Sequence, residues 1–222
     1  NLLPNLITSD DGEFCNENSF WLDDFALYMS IKDNYNGKPW NEWDKDIILR
    51  KKDALNELKL TLKNNIEFYK TVQYFFFSQW QSLKEYANSY GIKIIGDIPI
   101  YVAGDSADVW SNPKQFLLDE DCNPVEVAGC PPDAFSADGQ LWGNPLYDYG
   151  RMEADGFGWW IRRVDGARKL FDVIRIDHFR AFEAYLLIIV NLALLRDELR
   201  DVNIGIKGNK HVSDVKYYVF DH

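Results

Sequence analysis

The sequence predicts an α/β fold with parallel strands and its chemistry at the strand ends. Three observations predict it. Helical and strand periodicities follow one another in the order helix, strand, long loop, helix, strand, which is the rhythm of a parallel α/β fold. The two strand-like runs, IKIIGDI at 92–98 and FDVIRID at 171–177, are short and rich in β-branched residues, as buried strands are. Each run closes on an aspartate, Asp97 and Asp177, and parallel α/β folds keep their active sites at the carboxyl ends of strands.

The elements follow in chain order. The chain opens on Asn1, without a Met, in a polar stretch rich in Asn and Asp, so the native start is expected upstream. Residues 20–33 place Trp21, Phe25, Tyr28 and Met29 at helical spacing behind the N-cap candidates Asn18 and Ser19. A Gly-Lys-Pro turn at 37–39 closes that helix. From Trp43 to Tyr90 the chain is nearly free of Gly and Pro and reads as helix in two or three pieces. Within it Val72, Phe75, Phe76, Gln79, Trp80, Leu83 and Ala87 form an apolar stripe, and Gly91 stands where a helix C′ glycine belongs.

The first strand is bounded by Gly91 and Pro99. Residues 99–149 are rich in Gly, Pro, Asp and Asn and too long for an idle connection, since structureless loops beyond about 12–15 residues are usually functional. A helix over 155–170 carries Trp159, Trp160 and Val164 and leads into the second strand. Beyond it LLIIV at 186–190 reads as a strand and LALLRDELRD at 192–201 as a helix, while 202–222 gives weak signals. Asp177 and Leu186 are separated by about eight residues, and a parallel crossover needs a dozen or more. Intervening sequence is therefore expected between Tyr185 and Leu186, and a second break near Val190.

Composition narrows the function classes. The net charge of −11, with 24 basic residues scattered among 35 acidic ones, argues against a nucleic-acid partner, which needs clustered Lys and Arg. No run of 18 apolar residues predicts a membrane span, and no signal peptide is visible. Cys15, Cys122 and Cys130 are odd in number and lack metal-ligand spacing, which predicts reduced thiols in a cytoplasmic protein and no zinc. Aromatic residues make up 15% of the chain. Large cores use them, and so do sugar sites.

In the second strand, alternation puts Val173, Arg175 and Asp177 on one face and Ile174 and Ile176 on the other. With the isoleucines against helices, Arg175 and Asp177 point toward substrate. A cation at that distance favours the ionised carboxylate, the form a covalent nucleophile requires. The same pattern also describes an ion pair capping a strand. His178 and Arg180 follow at once, and His178 can donate to a sugar hydroxyl. Asp97 suits the binding of vicinal hydroxyls, or it caps the next turn. In the long loop, PPDAFSADGQLWGNPLYD at 131–148 takes its turns from Gly139, Gly143 and Pro145. Gln140, Trp142, Asn144 and Tyr147 supply the amides and rings that hold pyranoses, although a loop Trp is often packing.

Together these stretches resemble the 4-α-glucanotransferases of glycoside hydrolase family 77, the amylomaltases and disproportionating enzymes. The resemblance runs through WLDDFALYMSIK at 21–32, FFFSQW at 75–80, GIKIIGDIPIYVAGDSADVW at 91–110, the 131–148 stretch and LFDVIRIDHFRAFEAY at 170–185. GDIPIYV, GQLWGNP and RIDHFR are its specific signals. It implies a (β/α)₈ TIM-type barrel, here incomplete, with a largely helical insertion over 20–90 and barrel strands with active-site loops over 91–222. It implies transfer of α-1,4-glucan segments to a sugar acceptor by a retaining mechanism, with maltooligosaccharides as partners and no cofactor. It implies Asp177 as nucleophile flanked by Arg175 and His178, with Asp97 and Tyr101 in the substrate site. Gln140, Trp142 and Asn144 would belong to a loop that closes over the glucan.

The chain departs from the family pattern in two ways. Ala181 replaces the Gly of RIDHFRGF, and the segments like IIAEDLG and THDN, which carry the acid/base Glu and a third Asp, are absent. Glu183 belongs to the FxAY pattern, so no acid/base is assigned. The alternatives to a transglycosylase are a glucan-binding relic and an α-amylase-like hydrolase.

Overall fold

The computed structural model describes residues 9–130, 138, 140–176, 203–207 and 217–221. Five helices come first: α1 (Ser9–Glu17), α2 (Ser19–Asn34), α3 (Lys45–Ile48), α4 (Lys52–Thr61) and α5 (Lys63–Ser89). Strand β1 (Ile95–Ile98), α6 (Ala107–Ser111) and the strands β2 (Val127–Cys130) and β3 (Gln140–Pro145) follow. Then come α7 (Tyr149–Ala154), α8 (Gly158–Leu170), β4 (Val173–Ile176), β5 (Asn203–Lys207) and β6 (Tyr217–Asp221). These elements form two compact units. One contains the chain up to Gln79 together with Tyr101–Tyr147; the other contains Trp80–Ile100 and the chain from Asp148 onward.

In the first unit α2 buries Leu22, Ala26, Leu27, Tyr28 and Ile31. They meet Trp43 and the fully buried Trp110, with Tyr28, Trp43 and Trp110 ring centroids 5.4–5.9 Å apart. The residues predicted to form the apolar face divide between two sides. Tyr28 enters this core, whereas Trp21 packs on Phe77 and Phe25 on Tyr69, both from α5. Helix α2 is apolar over most of its circumference and is covered on both sides.

Asn18 does not cap α2 through its side chain. Its backbone is close to helical (φ −104°, ψ 6°), which carries α1 almost directly into α2. Its amide instead accepts from Trp21 Nε1 at 3.1 Å and donates to the Phe14 carbonyl at 2.9 Å. The polar opening of the chain yields the unpredicted α1, held by Phe14 against Tyr74 and Phe77.

The predicted apolar stripe of α5 is rotated. Tyr69, Tyr74, Phe77, Trp80 and Lys84 reach residues of other elements, while Val72, Phe75, Phe76 and Leu83 stand 39–53% exposed. Of the predicted stripe, Trp80 is the member that reaches the second unit's strand entry, donating to Leu170 and packing on Phe171.

The second unit is built on a four-stranded sheet in the order β1-β4-β6-β5. Strands β1 and β4 are parallel, as predicted, with Asp97 opposite Arg175. Strand β6 runs antiparallel to β4, and β5 antiparallel to β6, so the sheet is mixed where a purely parallel one was expected. The last helical turn of α5 closes on Gly91 (φ +74°), whose N–H donates to the Asn88 carbonyl at 2.9 Å. Gly96 is required by close approach, because a Cβ there would lie 2.0 Å from the Phe171 ring.

Asp172, just before β4, ties three elements. It accepts from Ile94 N–H and Asn88 Nδ2, each at 2.8 Å, and pairs with Lys84 at 3.6 Å. Trp80 Nε1 donates to the Leu170 carbonyl at 2.7 Å. Helix α8 packs on both parallel strands, burying Trp159, Trp160 and Val164.

No helix among the described residues is long and apolar enough to cross a membrane. The segments 186–190 and 192–201 and the break expected at 185–186 fall outside the described residues.

Candidate active site

Two local constellations hold the predicted residues, one in each unit. In the second unit the parallel register sets Asp97 and Arg175 side by side near the carboxyl ends of β1 and β4. Gly96 and Ile98 are buried while Asp97 is exposed, and Ile174 is buried while Arg175 is exposed. Alternation thus presents the charged pair on one face. The guanidinium grips both carboxylate oxygens, Nε to Oδ1 at 3.2 Å and Nη2 to Oδ2.

The side chains remain 47% and 67% exposed, and pairs so accessible contribute about 0–1 kcal/mol. What the fork supplies is orientation. Arg175 had been read as the partner of Asp177; the partner seen among the described residues is Asp97 on the neighbouring strand. Among the described residues the bonds seen to the Asp97 carboxylate come from Arg175, and a carboxylate has lone pairs for further donors. Asp177 and His178 lie outside the described residues. Arg163 steadies the exit from β1: it packs over Trp159 and Trp160 and donates to the Pro99 and Ile100 carbonyls at 2.6 and 3.3 Å.

In the first unit Tyr101 lies against two rings. It stacks on Tyr147, with centroids 5.7 Å apart and planes 16° from parallel, and meets Trp142 at 6.2 Å. Buried Phe116 backs Tyr147 at 5.3 Å. Gln140, Trp142 and Asn144 occupy alternate positions of β3, which pairs antiparallel with β2. The sequence had read this stretch as loop. Ladder pairing to β2 makes it strand, with Gly143 at φ +77° interrupting its regularity. Trp142 Nε1 donates to Gln140 Oε1 at 3.0 Å, and Asn144 Nδ2 to the Val102 carbonyl at 2.8 Å. A half-buried indole and two amides on β3, with the Tyr101 phenol against the indole, form a surface that a pyranose ring can lie on.

One anchoring group escaped the sequence reading. Asp105 accepts from Tyr28 OH at 2.6 Å and from Trp40 N–H at 3.3 Å, and it pairs with Lys32. Burial by itself would raise its carboxyl, but the Lys32, Tyr28 and Trp40 donors outweigh burial and hold it below the ordinary carboxylate range. Burial, then the bond to Asp105, pushes the Tyr28 phenol far upward. Its partners lie 65–77 residues away, and only the Asp-Ser start of α6 marked it locally.

A cavity of about 440 Å³ in the same unit, lined by Arg50, Lys114 and Gln115 among others, contains none of the predicted residues. Among the described residues no group of three or more His, Cys, Asp or Glu side chains could hold a metal ion.

Comparison with known proteins gives consistent matches. The family model described as 4-alpha-glucanotransferase matches residues 8–213. A 4-alpha-glucanotransferase of Clostridium butyricum is 53% identical over 185 residues, covering 82% of this chain and 38% of the relative. That of Aquifex aeolicus is 53% identical over 173 residues, covering 78% and 36%. Among solved structures, amylomaltase from Streptococcus agalactiae in complex with acarbose superimposes with a TM-score of 0.74 at 47% identity, covering 78% of this chain and 35% of that one. The chain thus spans little more than a third of the length of the curated relatives it matches.

Proposed function

This chain belongs to the 4-alpha-glucanotransferase family, glycoside hydrolase family 77, and on that premise we propose that it supplies part of an active site transferring α-1,4-glucan segments to a sugar acceptor. Asp177 is the nucleophile of this reading. Its carboxylate attacks the anomeric carbon, the glycosidic oxygen leaves with a proton from a general acid, and a glycosyl ester forms. An acceptor sugar hydroxyl then gives up its proton to the same group as base and attacks the anomeric carbon of that ester. The carboxylate departs, and two inversions leave the configuration retained. The acid/base is not assigned within this chain.

The observation that carries the reading is the bidentate Arg175–Asp97 pair at the carboxyl ends of two parallel strands. It sets a cation two residues before Asp177 in the sequence, which on this reading favours the ionised nucleophile, with His178 and Asp97 serving sugar hydroxyls. Tyr101, Trp142, Gln140 and Asn144 form the sugar platform. The (β/α)₈ barrel belongs to the same proposal. It is supported by β1, α8 and β4 as a parallel unit covered by a helix, while the antiparallel β5 and β6 lie outside that pattern.

Acarbose, named with the solved relative, is the expected tight ligand. The free thiols of Cys15 and Cys122, both pushed upward chiefly by burial, support a cytoplasmic setting. The test is incubation of the full-length protein with maltotriose. Transfer yields glucose together with oligomers longer than the substrate; a hydrolase yields shorter sugars only, and a binding relic yields nothing.

A further inference from the structure

We propose that Asp105 is a positioning residue for the sugar platform, fixing the segment that carries Tyr101 to α2. The inference rests on the platform reading of Tyr101, Trp142 and Asn144.

Asp105 follows Tyr101 by four residues, and the five residues from Tyr101 to Asp105 are held at nearly every position. At the far end the Asp105 carboxylate takes Tyr28 OH and Lys32 from α2, together with Trp40 N–H. One residue earlier, the Gly104 carbonyl accepts from Trp40 Nε1 at 2.7 Å. The same Trp40 therefore grips both the backbone at 104 and the side chain at 105, and it is itself only 3% exposed.

At the near end the segment meets β3. The Val102 carbonyl accepts from Asn144, a Cβ on Gly104 would touch Pro145 Cδ at 3.6 Å, and the Tyr101 ring lies against both Tyr147 and Trp142. The segment is thus a short strap between the buried face of α2 and the strand bearing the platform. With so short a free length, a shift at Asp105 is passed along the backbone toward Tyr101.

The energetics favour a role in orientation. Asp105 is 38% exposed as a side chain, and ion pairs that accessible add little net stability. Three donors converging from different directions on one carboxylate instead define its place in space. Displacements on the scale of an ångström in a substrate-positioning group are costly to function.

The experiment uses Asp105→Asn and Tyr28→Phe in the full-length protein, with Tyr101→Ala and Trp142→Ala as references. KM and kcat for maltotriose are measured well below each variant's Tm. Asp105→Asn is expected to raise KM about tenfold with kcat changed less than about threefold, the signature of lost binding geometry shared by ground and transition states. Tyr28→Phe, which removes a single hydroxyl, is expected to raise KM in the same direction and less.

Asp105→Asn combined with Tyr101→Ala is expected to be no worse than Tyr101→Ala alone, because both act through one group. The proposal is overturned if Tyr101→Ala and Trp142→Ala raise KM while Asp105→Asn and Tyr28→Phe only lower Tm, which leaves the platform reading standing. Additive effects in the double variant overturn it as well. If the two reference variants leave KM unchanged, the platform reading itself has failed and this proposal with it. Should Asp105→Asn not fold, Tyr28→Phe decides alone.

Discussion

Trp110 and Trp142 are both tryptophans in the stretch that follows β1, and their surroundings assign them opposite work. Trp110 is fully buried, stacked under the Arg50 guanidinium at 4.2 Å, with its indole N–H on the Ile47 carbonyl. Trp142 is half-buried and donates to Gln140 on its own strand. Trp110→Ala is therefore expected to cost about 3–5 kcal/mol of stability, as buried aromatic truncations do, and to show as a large fall in Tm by calorimetry. Trp142→Ala is expected to leave Tm nearly unchanged and to raise KM for maltotriose; a collapse of Tm with KM unchanged would return Trp142 to the core. The sequence alone could not separate them, because Trp110's environment comes from Ile47, about sixty residues earlier. The same distance hid Asp105. Arg175 and Asp97 were legible as site residues because strand alternation is local, but their mutual pairing needed the register of two strands 78 residues apart.

Helices α2 and α8 and strands β1 and β4 were readable from periodicity and from Gly and Pro punctuation. The helical stretch 43–90 reads as two or three pieces whose breaks the sequence does not locate. The hairpin of β2 and β3 was not, since Gly129, Gly139 and Gly143 read as loop and the ladder between the strands is a tertiary fact. Strands β5 and β6 were missed for a related reason: NIGIK and YYVFD are five-residue runs, and their pairing with each other is a tertiary fact. Gly96 shows what register demands of an element. A Cβ would sit 2.0 Å from the Phe171 ring, so β1 and the entry to β4 cannot keep their spacing around a larger residue. Gly96→Ala is expected to destabilise by about 1–3 kcal/mol, the usual cost of overpacking, read as a lowered urea midpoint. In a Phe171→Ala background, where the ring is gone, the same substitution is expected to cost clearly less. Equal costs in both backgrounds would show that the contact is not what requires glycine.

At the scale of the whole molecule the division into two units was invisible in the sequence, because the chain passes between them after Gln79, after Ile100 and after Tyr147 and periodicity carries no record of such crossings. Among the described residues each unit has a carboxylate whose folded environment holds it below its ordinary value. Burial alone would raise both Asp172 and Asp105. For Asp172 the Ile94 N–H, Asn88 and Lys84 outweigh it, and for Asp105 Lys32, Tyr28 and the Trp40 N–H do, so both sit below the ordinary 3.8. A carboxyl lowered in the folded state contributes stability above its unfolded value and loses it as pH falls through the folded one. Tm is accordingly expected to drop as pH is taken from about 4 downward, and Asp172→Asn to flatten that decline; an unchanged slope in the variant would remove Asp172 from the account. The central claim, a retaining transfer through Asp177, is tested most directly by Asp177→Asn in the full-length protein. An amide is a poor nucleophile and leaving group, so transfer from maltotriose is expected to fall to below a hundredth of wild type, a loss exceeding about 2.7 kcal/mol of transition-state stabilisation, with acarbose still bound. Turnover retained above that hundredth would contradict the nucleophile assignment.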